Sequence, residues 1–230
     1  MTSGRFYEII NDLIDKAQSG FFPPEEVMSA ADMAQMGRFA SYYADFIETG
    51  HTHNALNPFR TSKVFTAADF TTVSGIAGML VPPAGYQYPT GLILTQYDNH
   101  VNGTVYKKVP IYRDDELADA LASQVRPVNA NNPIAAQEGT GIRFYPNVNT
   151  YAGTLLYLRR PAVPVMAYTL QGGRKYVYNP TGSVDFEWAD THINDIIMRT
   201  LELLGVNLNA PEIVQWAAQN QASNQNPNKP

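Results

Sequence analysis

Few residues in this chain combine the identity and the spacing that chemistry requires. His51 and His53 form a His-x-His pair that offers two imidazoles to a divalent metal. No third histidine lies within a few residues of them, and two solvated loop histidines are the simpler reading. Ser183, Asp185 and His192 supply the residue types of a hydrolase triad, but triads are assembled by the fold and closeness in sequence is poor support. The preferred reading puts His192 on the first turn of the last helix and lets Asp185 alternate with Phe186 along an extended segment. Gly172-Gly173-Arg174-Lys175 lacks the Gly-x-x-x-x-Gly-Lys-Ser/Thr spacing of a phosphate loop and reads as a hairpin turn. Asp114, Asp115 and Glu116 could hold a hard cation, yet adjacent acids at a helix start more often complement the helix dipole. No catalytic, cofactor-binding or metal site is expected.

Two other groups point to contact rather than reaction. Arg159 and Arg160 either meet carboxylates across a subunit boundary or mark a solvated strand end, and the sequence does not separate these. The 14 tyrosines, concentrated in the central region, fit either a platform for stacking carbohydrate or a set of subunit contacts, and the second is favoured.

Composition narrows the classes further. A chain of 230 residues with 44% hydrophobic content can bury a substantial core. The absence of cysteine removes disulfide scaffolds, thiolate nucleophiles and zinc knuckles together. A net charge of -5 argues against binding nucleic acid by neutralising phosphates, although not against a surface past which DNA slides. No apolar run approaches the roughly eighteen residues of a membrane span, and the opening residues carry acids where a signal peptide needs an apolar core, so synthesis and use in a cytoplasm are expected.

The elements that would position these groups are legible from periodicity. Phe6, Ile9, Ile10, Leu13, Ile14 and Ala17 trace one helical face from about Gly4 to Gln18, with Ser3 as the cap. Pro23-Pro24-Glu25-Glu26 opens a second helix that reaches Glu48. Near the other end, Ile193, Ile196, Ile197, Thr200, Leu201 and Leu204 form a stripe, capped by Asp190 or Thr191 and ended by Gly205. Between them, GLILTQY, GTVYKKVPIY, GIRFYP, GTLLYLRR and VPVMAYTL read as strands, with turns at Asn102-Gly103 and Glu138 to Gly141 and one short helix from Asp114 to about Ser123.

The expected fold is α+β, a helical body from the N- and C-terminal helices with an inserted antiparallel β-rich region. Its parts are a helical hairpin over 1–49, an irregular arm over 50–75, the β-rich insertion over 76–187, C-terminal helices over 188–218 and a flexible polar tail over 219–230. The tail, QNQASNQNPNKP, holds too little apolar area to offset the entropy of ordering by itself.

Three segments carry a resemblance: IINDLIDKAQSGFFPPEEVMSAADMAQ, GIRFYPNVNTYAGTLLYLRRPAVPV and NPTGSVDFEWADTHINDIIMRTLELLGVNLNAPEIVQWA. Together they resemble a family of virion structural proteins of tailed phages of Bacteroidetes hosts, crAss-like phages among them. The order of parts is similar to podovirus head-tail connector adaptors, and only roughly Gly50 to Gly85 falls outside the likeness. The resemblance implies a non-enzymatic ring of about a dozen copies below the portal, enclosing a DNA channel and meeting the next tail or collar ring, in the virion at the head-tail junction. It also implies that the polar tail reaches the portal. By position near the C-terminus, Trp216, Gln219, Asn224 and Lys229 would dock there, while Tyr42, Tyr43, Phe46, Arg159 and Arg160 would join subunits. A Tyr-rich carbohydrate-binding or adhesin module of a phage tail is the alternative.

Overall fold

The computed structural model describes residues 1–16, 20–50, 53–73, 76–98, 103–138, 141–147, 151–172 and 175–206. The protein is mixed α and β with antiparallel sheets. It falls into two compact units: Met1–Pro58 with the chain from Pro161 onward, and Phe59–Arg160.

Among the described residues, the first unit is built on three α-helices. α1 (Ser3–Lys16) buries Phe6, Tyr7, Ile10, Leu13 and Ile14 along one stripe. Ser3, expected as its cap, is instead the first helical residue, and its backbone N–H and hydroxyl both donate to Asp185 at 2.8 and 3.2 Å. Thr2 caps in its place, its hydroxyl accepting from the Arg5 N–H at 3.3 Å. α2 (Pro24–Thr49) buries Val27, Ala30, Ala31 and Ala34, whose small side chains permit close helix packing, and ends where Gly50 turns left-handed at φ 71°. α4 (Asp190–Leu203) follows a short helix of the second unit in chain order and buries Ile193, Ile196, Ile197, Thr200 and Leu201. Neither Asp190 nor Thr191 caps it; Ala189 holds that position without a side-chain bond. α2 packs on both α1 and α4.

Among the described residues, the second unit holds nine strands in two sheets. One sheet has the order β1 (Arg60–Phe65), β9 (Gly153–Arg159), β4 (Tyr86–Asp98), β5 (Gly103–Val109). The other runs β2 (Phe70–Val73), β3 (Ile76–Leu80), β8 (Gly141–Tyr145), β7 (Ile134–Glu138), β6 (Ile111–Tyr112), with β6 and β7 parallel and the remaining pairs antiparallel. α3 (Asp114–Ala122) lies between β6 and β7 in sequence. Leu92, Leu94, Leu155, Tyr157 and Phe65 of the first sheet share one core with Leu80, Ala135, Ile142 and Phe144 of the second.

Two expected boundaries need correction. The irregular arm over 50–75 contains β1 and β2, and β1 pairs with β9 along its whole length. An edge strand packs on one neighbour only, so RTSKVF buries just Phe65 fully and shows no apolar alternation. Residues 161–187, expected in the β-rich insertion, belong to the first unit. There β10 (Tyr168–Gln171) and β11 (Lys175–Tyr178) form a separate hairpin, and the rest of VPVMAYTL is extended chain bridged at Val165 to Val184 and hydrogen-bonded at Ala167 to Ser183 and Asn179.

Tyr151 lies in the sheet core, and its hydroxyl is buried with no hydrogen-bond partner among the described residues. Desolvation raises its phenol above the ordinary 10.0. Because no bond is lost, Tyr151→Phe is expected to leave stability unchanged or raise it by up to about 1 kcal/mol in urea unfolding. A loss larger than about 1 kcal/mol would show that the hydroxyl is satisfied.

Candidate functional site

The densest set of polar and aromatic side chains lies where α2 meets α4. On α2, Gln35, Arg38 and Tyr42 follow each other at helical spacing, and Arg38 and Tyr42 meet Asp195 and His192 of α4. The Tyr42 hydroxyl is 3.2 Å from His192 Nδ1. His53, just after α2, stacks on the Tyr42 ring at 4.4 Å, and its Nδ1 accepts from the Ala55 N–H at 3.1 Å. Arg38 lies over the same ring at 4.6 Å and pairs with Asp195 at 2.7 Å. Behind them, the Trp188 indole N–H donates to Gln35 at 3.2 Å. The Gln35 amide donates in turn to Asp32 and to the Ala162 carbonyl, both at 2.9 Å.

This arrangement disposes of the triad. His192 faces Tyr42, whereas Ser183 donates to the Asn179 carbonyl at 2.6 Å and Asp185 receives the start of α1. Each triad residue type is committed to a different local bond. The His-x-His pair is half visible: His51 lies outside the described residues, and among the described residues no three histidine or acidic side chains gather as a cation cage. The Gly172 stretch connects β10 to β11, with Gln171 paired to Lys175, which is a hairpin connection. Asp115, Glu116 and Asp119 line a cavity of about 690 Å³ together with Tyr112 and Arg126.

Electrostatics at the α2–α4 junction yields a pH dependence. Burial pushes the His192 imidazole below its ordinary 6.5; His53 and Arg38 add to this, and Asp195 opposes it. The unfolded chain therefore binds more protons than the folded chain between the lowered value and 6.5. Stability contributed by neutral His192 is full above 6.5 and is lost as pH falls through the lowered value. Thermal midpoints measured from pH 8 to about pH 5 should fall on acidification, and His192→Asn should flatten that slope. An unchanged slope in the variant would assign the acid sensitivity elsewhere.

The expected contact residues divide. Tyr42, expected at a subunit boundary, is only 6% exposed and is engaged inside its own chain by His53, His192 and Arg38, so it is corrected to a core residue. Tyr43 and Phe46 remain half-buried with ring centroids 5.9 Å apart. Arg159 lies over Phe59 at 5.7 Å, and Arg160 is exposed with its backbone N–H donating to the Gly85 carbonyl at 2.8 Å. Trp216, Gln219, Asn224 and Lys229 lie outside the described residues.

The tyrosines do not form one platform. Tyr151 and Tyr157 are core residues of the sheets, while Tyr7, Tyr168 and Tyr176 gather at the β10–β11 hairpin, with Phe21 stacked on Tyr176 at 5.8 Å. There a hydrogen bond to the Glu25 carboxylate pushes the Tyr168 phenol up to about 12. Sequence reasoning missed Gln35 and Trp188, because a glutamine among alanines and a lone tryptophan before a helix carry no periodic signal. No protein-family model matches the chain, and comparison with curated proteins found no match.

Proposed function

We propose that this chain is a non-enzymatic structural protein of a tailed-phage virion, a ring of about a dozen copies that links the portal to the tail around the DNA channel. In this reading the terminal helices form a body into which the β-rich region is inserted, the body joins neighbour to neighbour, and the polar tail docks on the portal. The observation that carries it is that α1 and α2, from the start of the chain, and α4, from near its end, belong to one compact unit and pack together, while antiparallel sheets form the other. That pattern agrees with the order of parts in podovirus connector adaptors, to which the order of parts in this chain is similar. The acidic balance of -5 suits a wall past which DNA moves without binding. The particle would be assembled in the host cytoplasm.

A reconstruction of the particle that locates this chain relative to the portal tests the proposal. A closed ring at the head-tail junction is expected. A few scattered copies, or copies confined to receptor-binding fibres, would reject it and favour the adhesin.

A further inference from the structure

The outer side of the first sheet carries exposed apolar side chains. Register places Lys108, Ile93, Thr154 and Val64 in one line across all four strands, on the side opposite the core residues Leu92, Leu94 and Leu155. Tyr106 stands two residues from Lys108 on the same side, and both Val64 and Tyr106 are 72% exposed. Ile93 is half-buried beside them, and Lys108 is exposed on that side. No carboxylate occupies the outward positions of β1, β9 or β5.

The last two turns of α2 are the counterpart. Ile47 is 46% exposed and Phe46 is half-buried, next to the exposed carboxylates of Asp45 and Glu48. No basic residue lies in the last turn, so two negative charges sit at the negative end of the helix dipole, an unfavourable placement that cations from outside would relieve. About seven residues of helix span about 10 Å, against about 14 Å across four strands.

We infer that the α2 end of one copy docks on the outer side of the β1–β9–β4–β5 sheet of a second copy, with Phe46 and Ile47 against Val64, Ile93 and Tyr106 and with Asp45 and Glu48 facing Lys108. The contact joins unlike surfaces, so it propagates from copy to copy instead of closing a two-fold dimer. Pairing of β5 with β5 at the free edge would bring Lys107 and Lys108 against their own kind, and such edge charges oppose it. The inference rests on the ring reading only in taking the partner to be this same chain.

The test uses the full chain, which contains no cysteine. Val64→Cys and Ile47→Cys proteins are mixed with a short bis-maleimide, and the mixed pair should cross-link at least about 10-fold faster than either variant with itself. Cross-linking captures transient contacts, so a chain that sediments as a monomer still gives an answer. Equal rates in the three reactions overturn the inference. In the second arm, Lys108→Glu and Glu48→Lys, both surface changes checked for folding by circular dichroism, should each slow the mixed cross-link about 10-fold when introduced into one partner. The two changes placed on opposite partners should restore it, and failure to restore overturns the charge pairing. A virion ring whose contacts avoid both surfaces would sink this interface and leave the connector reading standing. A virion without the ring would remove the connector reading and leave the Val64–Ile47 result intact.

Discussion

Replacing Gly153 with alanine is expected to destabilise the sheet unit by about 3 kcal/mol or more, at the upper end of overpacking costs. Gly153, the first residue of β9, pairs with Phe65 of β1 on one side and Leu94 of β4 on the other. A Cβ there would overlap the Ile93 carbonyl oxygen and stand 3.0 Å from both Leu94 Cα and the tip of the Phe65 ring. The first two obstacles are backbone, which cannot rotate away as a side chain can, so β9 must leave β4 or β4 must bend. Gly91→Ala in the same sheet is the control: its Cβ would lie 3.4 Å from Leu156 Cδ1, ordinary contact with a movable methyl, and should cost less than about 1 kcal/mol. Urea unfolding followed by far-UV circular dichroism compares the two. Equal midpoints for the two variants would show that β9 is not held as closely to β4 as the register implies.

Gly153 shows what the sequence leaves unsaid. GTLLYLRR reads as a strand and Gly153 is the first residue of β9, but no local pattern tells that the residue is small because the β4 backbone approaches there. The helices were easier to see. The stripes of α1 and α4 contrast apolar and charged faces, and each buries nearly the residues its spacing predicts. The β10–β11 hairpin belongs to the first unit although it lies within the span that reads as the β-rich insertion. Its Tyr and Val content is that of any strand, but Tyr176 packs on Tyr7 of α1, and composition does not encode the partner. The α2–α4 junction was legible only in fragments. His192 and His53 each drew notice as chemistry, yet their pairing with Tyr42 depends on two helices meeting in register, which no local pattern carries.

The second large effect belongs to Gln35, and it tests whether that junction is held by its buried polar chain or merely filled by it. Gln35 is 1% exposed. It accepts from the Trp188 indole N–H and donates to the Ala162 carbonyl and to Asp32. Leucine has a similar volume, so Gln35→Leu opens little cavity, but it strands the indole N–H and the Ala162 carbonyl. Each stranded buried group costs about 1–3 kcal/mol, which places the expected loss at about 2–4 kcal/mol. With Trp216→Phe as background, Trp188 is the only remaining tryptophan, and its fluorescence follows unfolding of this unit directly. The pairing itself is read from a double-mutant cycle: in a Trp188→Phe background the indole N–H is already absent, so Gln35→Leu should cost about 1 kcal/mol less there. If Gln35→Leu costs the same in both backgrounds, the indole bond contributes nothing. The connection between α2 and the approach to α4 would then rest on apolar packing and the Ala162 carbonyl.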